Sequence, residues 1–168
     1  GRQDFVRRHT RERIFEENLL LDMLPHLPDL QCAWLLLLLS AVPRANHLLR
    51  VLPPSLVAQY ATDHDHAIWN CFCNMLDLAC MREDELAYHF ASMPCRSGGL
   101  GLRSAARTSA PAYVGAWADA VGVLKSKAPD LARGILQELG SERLTQIECL
   151  REAVVATAAL QEEGFQYP

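Results

Sequence analysis

The stretch from Cys32 to Val42, CAWLLLLLSAV, carries five consecutive leucines and is flanked by Pro28 on one side and Pro43 on the other. Such a run has no polar face to offer water, so a helix made from it cannot lie on a surface. It predicts a buried central helix, opened near Pro28 and Asp29, where proline fits a first turn and a carboxylate suits the positive end of the helix dipole. The same reading ends the helix at Pro43 and makes Leu37 a core residue. The run is about half the length that spans a bilayer, and we read it as neither a membrane segment nor a signal peptide.

The remaining elements also follow helical periods. Ile14, Phe15, Leu19 and Met23 recur at helical spacing between Arg11 and Leu24, which leaves residues 1–10 as a frayed extension. Asn46, Leu48, Leu49 and Val51 form a short helix stopped by Pro53 and Pro54. Leu56, Tyr60, His64, Ile68, Cys71, Phe72, Met75 and Ala79 make the most regular stripe in the chain. Glu83 to Phe90 give a short helix, and Pro94, Ser97, Gly98, Gly99 and Gly101 force a loop. Ser104 or Ser109 can cap the next helix, which Pro111 starts or kinks and whose stripe is Tyr113, Val114, Trp117, Val121 and Leu124. Pro129 to Leu139, closed by Gly140, and a last helix capped by Ser141 with the stripe Leu144, Ile147, Leu150, Val154 and Ala158 complete the series. No strand-like alternation of useful length and no fixed repeat occurs. The expected fold is all-α: an irregular multi-helix bundle around a buried apolar central helix, in one domain of 168 residues. Because the first residue is Gly1 rather than Met, we expect a piece of a longer protein.

Charge restricts the function. A formal net charge of −4 argues against a general nucleic-acid binder, which needs a basic surface. Any such contact must be local, at the cluster Arg2, Arg7, Arg8, Arg11 and Arg13 or at Arg96, Arg103 and Arg107, away from the acidic stretches Glu83 to Glu85 and Glu162 to Glu163. Six cysteines in a chain with a full complement of core residues indicate a reducing, intracellular setting, nuclear or cytoplasmic, rather than a disulfide framework.

No set of residues has the spacing of a catalytic centre. His64 and His66 lie roughly 200° apart on an ideal helix and cannot share a metal. Cys71 and Cys73 point to different faces, so they read as buried packing thiols, whereas Cys95 should be accessible. The run Gly98, Gly99, Leu100, Gly101, Leu102 lacks the Lys-Ser/Thr of a phosphate loop and the third glycine of a dinucleotide fingerprint. Its structural reading is a tight turn whose Leu100 and Leu102 plug into the core. Its functional reading has free backbone N–H groups of Gly98, Gly99 and Gly101, aided by Arg96, Arg103 and Arg107, meeting a phosphate at a helix start. We expect no catalytic residue, no metal and no cofactor.

Four stretches in order, LPDLQCAWLLLLLSAVPRANHLLRVLPP (27–54), HDHAIWNCF (64–72), MPCRSGGLGLRSA (93–105) and APAYVGAWADAV (110–121), resemble the region downstream of the palm in reverse-transcriptase-like proteins of non-LTR retrotransposons, of the type abundant in dinoflagellates. The likeness covers most of the chain from residue 27. Pro94-Cys95-Arg96 stands where that family usually has Pro-Leu-Arg or Pro-Leu-Ser, and its strand-turn motif with two adjacent aspartates is not in this sequence. The resemblance implies a non-catalytic, thumb-like or connecting part of an RNA-directed DNA polymerase, with the missing polymerase core as partner and the RNA or DNA backbone of the template-primer as a second contact. The alternative is a helical scaffold or protein-interaction domain with no nucleic-acid role.

Overall fold

In a computed structural model of the chain, residues 2–140, 146–162 and 164 are described. Ser141, Leu144 and Glu163, and the side chains of Arg2 and Ala79, lie outside the described residues. Among the described residues there is no strand, and the fold is an all-α multi-helix bundle. The α-helices are α1 (Arg2–Leu21), α2 (Leu30–Leu36), α3 (Asn46–Val51), α4 (Pro54–Met75), α5 (Glu85–Ser92), α6 (Ala105–Lys127), α7 (Pro129–Leu139) and α8 (Glu148–Glu162). Residues 3–10 are helical within α1, so the frayed extension is not observed.

The chain divides into two compact units where one domain was expected: residues 1–46 with 58–107, and residues 47–57 with 108–168. The first unit is built on α1, α2, most of α4 and α5. Its core joins Leu21 and Leu24, Leu37, Ala41 and Val42, and Ile68, Trp69 and Phe72, with Ala91 and Leu102. Trp69 lies 5.5 Å from Phe72 in a stacked pair and meets Tyr88 edge-on at 5.7 Å, while its indole N–H donates to the Arg82 carbonyl at 3.1 Å. A large aromatic is thereby buried with its polar atom satisfied.

The leucine run is not the central helix. Leu37 is fully buried, at 0 % exposure, but Leu39 is 69 % exposed, and Leu35 and Leu36 also face outward. Neighbours cover only one side of it, the side bearing Ala33, Leu37 and Ala41. The helix does not stop at Pro43 either. A π-helical turn (Leu37–Ala41) and a 3-10 turn (Val42–Ala45) carry the winding through to α3. Pro43 explains both turns: it has no N–H to give the Leu39 carbonyl and its ring would crowd that carbonyl in an α-helix. Leu30–Val51 is consequently one helical stretch, long and apolar enough by length and composition to cross a membrane, with its inner face committed to the protein core.

The buried central helix is α4. The expected stripe is found at Tyr60, His64, Ile68, Cys71 and Phe72, and a second one, Val57, Ala61, Asp65, Trp69 and Cys73, is buried beside it. Only a strip through Gln59, Thr62, His66, Asn70 and Asn74 stays exposed.

In the second unit, Leu48, Leu49 and Val57 are buried, as are Tyr113 and Val121 of α6, Ala132 of α7 and Leu150, Ala153, Ala156 and Leu160 of α8. Arg50 and Asp119 form an exposed ion pair at 2.7 Å. Pro111 lies inside α6, the second of the two places the sequence left open for it. One expectation is corrected here. The inner face of α8 is rotated from the predicted stripe: Ile147 and Ala158 are exposed, and α8 begins at Glu148.

Candidate functional site

The loop expected to meet phosphate runs from Met93 to Ser104. Arg96, Arg103 and Arg107 are all exposed, as is Gly98, while Gly99 and Gly101 are half-buried. Gly98 and Gly101 adopt positive φ, +85° and +76°. At Gly99 a Cβ would fall 2.2 Å from the Met93 carbonyl oxygen, so only glycine permits that approach. The amides of this turn are used internally: Gly98 N–H donates to Cys95 O, Gly99 to Pro94 O, Gly101 to Met93 O and Leu102 to Ala91 O. Leu102 plugs into the core as expected, but Leu100 is exposed.

The start of α6 is also taken. Asp65, reaching over from α4, accepts from Ala105 N–H at 2.6 Å, Ala106 N–H at 3.1 Å and Ser104 Oγ–H at 2.7 Å. Ser104 in turn accepts from Arg107 N–H at 3.2 Å, which makes it the cap residue anticipated from the sequence. An anion is therefore already seated on the positive end of α6, and it belongs to the protein. The free-amide arm of the phosphate expectation is corrected, and what remains at this loop is the side-chain charge of the arginines. Burial, followed by the nearby Asp65 carboxylate, raises the Tyr88 phenol above its ordinary value.

A second buried polar group joins α1 to α4. Glu17 Oε1 accepts from the Tyr60 hydroxyl at 2.7 Å, and Glu17 Oε2 lies 2.7 Å from Nδ1 of His64, which is 1 % exposed. Burial first, and then the bond to Glu17, push the Tyr60 phenol well above its usual range. Nε2 of His64 has no hydrogen-bond partner among the described residues. With the ring proton on Nδ1, the bond to Glu17 is satisfied and Nε2 presents a lone pair rather than an N–H, the less costly group to bury. His66 is exposed on the opposite side of α4, so the two histidines do not converge. Among the described residues no group of three or more His, Cys, Asp or Glu side chains could hold a metal ion.

Cys71 and Cys73 are buried and free, and Cys95 is exposed, as anticipated. Cys71 Sγ–H donates to the Leu21 carbonyl at 3.3 Å, and burial, with a smaller contribution from Asp22, pushes its thiol up to about 12. A thiol held neutral in this way is no nucleophile at ordinary pH.

Sequence reasoning did not find Asp65 or Glu17. Asp65 follows Ala61 and precedes Trp69 by four residues, and that second stripe was the available signal. Glu17 lies four residues before Leu21 and seven after Thr10, on the buried face of α1, within a stretch of arginines and glutamates that reads as solvated. No family model, no curated protein and no solved structure matches this chain.

Proposed function

We propose that the chain is a non-catalytic helical segment of a retroelement reverse-transcriptase-like protein, acting inside the cell, nuclear or cytoplasmic, as a support for a polymerase core. The ordered resemblance of four stretches suggests the family. The observation that carries the docking role is the exposed apolar set of the first unit: Phe15, Leu19 and Met23 along α1 and just beyond it, and Leu35, Leu36 and Leu39 on the leucine run. Large apolar side chains left outside in such numbers support a role for this surface in docking another protein. Nucleic-acid contact in this reading is confined to Arg96, Arg103 and Arg107, acting as charges, with weak affinity set by the acidic net charge.

The test mixes the chain with the polymerase core of a non-LTR element of this type and measures association by sedimentation. Association is expected, and Leu35→Asp with Leu39→Asp should abolish it. No association, or equal association of the double variant, sinks the docking role.

The second reading is a helical scaffold without a nucleic-acid role. It is favoured by Asp65 on the α6 N-terminus and by the paired loop amides, which leave a phosphate only mobile side chains to meet. Binding of an RNA–DNA hybrid near 20 mM salt, a weakly screening condition, separates the two. The first reading expects feeble binding, lost with a shallower salt slope when Arg96, Arg103 and Arg107 are all changed to Gln. The second expects none.

A further inference from the structure

The second unit contains a cavity of about 620 Å³ between α6, α7 and α8. Val114, Trp117 and Val121 of α6, Leu136 of α7 and Val154 of α8 give it apolar walls. Its size falls inside the range of roughly 300–1,000 Å³ typical of small-molecule sites, and apolar walls with a few polar groups are their usual lining.

The polar groups are not scattered. The Tyr113 hydroxyl donates to the Cys149 carbonyl at 3.1 Å, tying one end of this part of α6 to the start of α8. From that tie the cavity is lined by α6 as far as Lys125 and by α8 as far as Gln161, each twelve residues further on. Lys125 and Gln161 are the lining residues farthest along α6 and α8 from that tie, each about 18 Å along its own helix at 1.5 Å per residue. Lys125 is the only ionised side chain in the described lining, and it has no ion-pair partner among the described residues.

These observations select the occupant. Apolar walls with one ammonium among them suit a thin apolar body with one anionic end. We propose that this cavity binds a single-chain lipid carboxylate, with the hydrocarbon chain along Trp117 and Val121 and the carboxylate at the Lys125 ammonium. The proposal stands independently of the polymerase reading, since it uses only residues of the second unit.

The experiment titrates the full chain with dodecanoate below its micellar concentration, by calorimetry and by tryptophan emission, because Trp117 is in the wall. One saturable site with a change in emission is expected. A Cβ built on Gly122, a lining residue, meets no atom within 4 Å, so Gly122→Leu fills the cavity without displacing backbone. It should remove binding at least tenfold while far-ultraviolet circular dichroism stays helical, and Ala118→Leu, also in the wall, should do the same. Lys125→Gln should weaken dodecanoate about tenfold and leave dodecanol unchanged. The proposal is overturned if the chain shows no saturable site, if both filling variants bind normally, or if Lys125→Gln weakens the alcohol as much as the acid.

Discussion

The leucine run and α4 invert what their letters suggest. The run from Cys32 to Val42 has Ser40 as its sole hydroxyl and no charge, yet about half of it faces outward. The central part of α4 reads TDHDH, with Thr62, Asp63, His64, Asp65 and His66 in succession, yet His64 and Asp65 are among the buried residues of the protein. Burial follows from how many neighbours an element has, and composition only sets what that burial costs. Helix α4 receives Glu17 from α1 on one side, and its own Asp65 takes the start of α6 on another. The leucine run has neighbours along one face alone.

The sharpest way to break this comparison is to place the same charge on both faces of the run. Leu37→Asp should unfold the protein, because an unpaired buried charge costs several kcal/mol, on the order of the whole stability. Leu39→Asp should shift stability by no more than about 0.5 kcal/mol, as for exposed sites in general. Chemical denaturation of the two variants checks this, and equal effects would refute the assignment of faces.

On α4 the matching pair is Asp65→Ala and Asp63→Ala. The first removes the carboxylate that accepts from Ala105 N–H, Ala106 N–H and the Ser104 hydroxyl and should cost about 1–3 kcal/mol, the range for a buried donor that loses its partner. The second removes only an exposed bond with Gln59 and should be near neutral. A similar loss, about 1.5–3 kcal/mol, is expected for Tyr60→Phe, which keeps the ring and deletes one hydrogen bond to a carboxylate. Thermal unfolding of Tyr60→Phe beside the parent measures it, and an unchanged midpoint would show that Glu17 needs no second partner.

The smallest effect near neutral pH is the titration of Cys71. Its thiol is raised from 9.0 to about 12 in the folded chain, so the unfolded chain releases its proton first. The contribution to stability is complete below pH 9 and is lost as pH rises from there towards 12. The Tyr60 phenol, also raised, acts in the same direction from about pH 10. Melting temperatures should therefore be flat up to about pH 9 and fall above it, and Cys71→Ala should flatten the first part of that fall. At pH 8, iodoacetamide should modify exposed Cys32, Cys80 and Cys95 well before Cys71 and Cys73.

Helix positions were legible because they depend on local period and punctuation. The stretch 129–139, Ser104 as a cap and the Tyr60–His64–Ile68–Phe72 stripe all appear as the sequence indicates. What was not legible depends on distant partners. Nothing near Pro43 says that a π turn and a 3-10 turn will carry the helix past it, since that outcome rests on Leu37 and Ala41 on one side and Leu48 and Leu49 on the other both being buried. The anion at the α6 N-terminus is 39 residues away in sequence, at Asp65, which is why a loop with three arginines and three glycines reads as a phosphate site until its amides are traced.

The two units are interleaved along the chain, and this matters for synthesis. Residues 47–57 leave the ribosome long before 108–168, the segment with which they form one compact unit. At roughly 5–20 residues per second the delay is several seconds. During that time Leu48, Leu49 and Val57, all buried in the finished protein, are without the partners that cover them. Residues 1–46 and 58–107, by contrast, can assemble once Arg107 has emerged. The nascent chain thus carries a waiting apolar segment of the kind chaperones hold, and a chain truncated after Arg107 keeps that segment exposed for good.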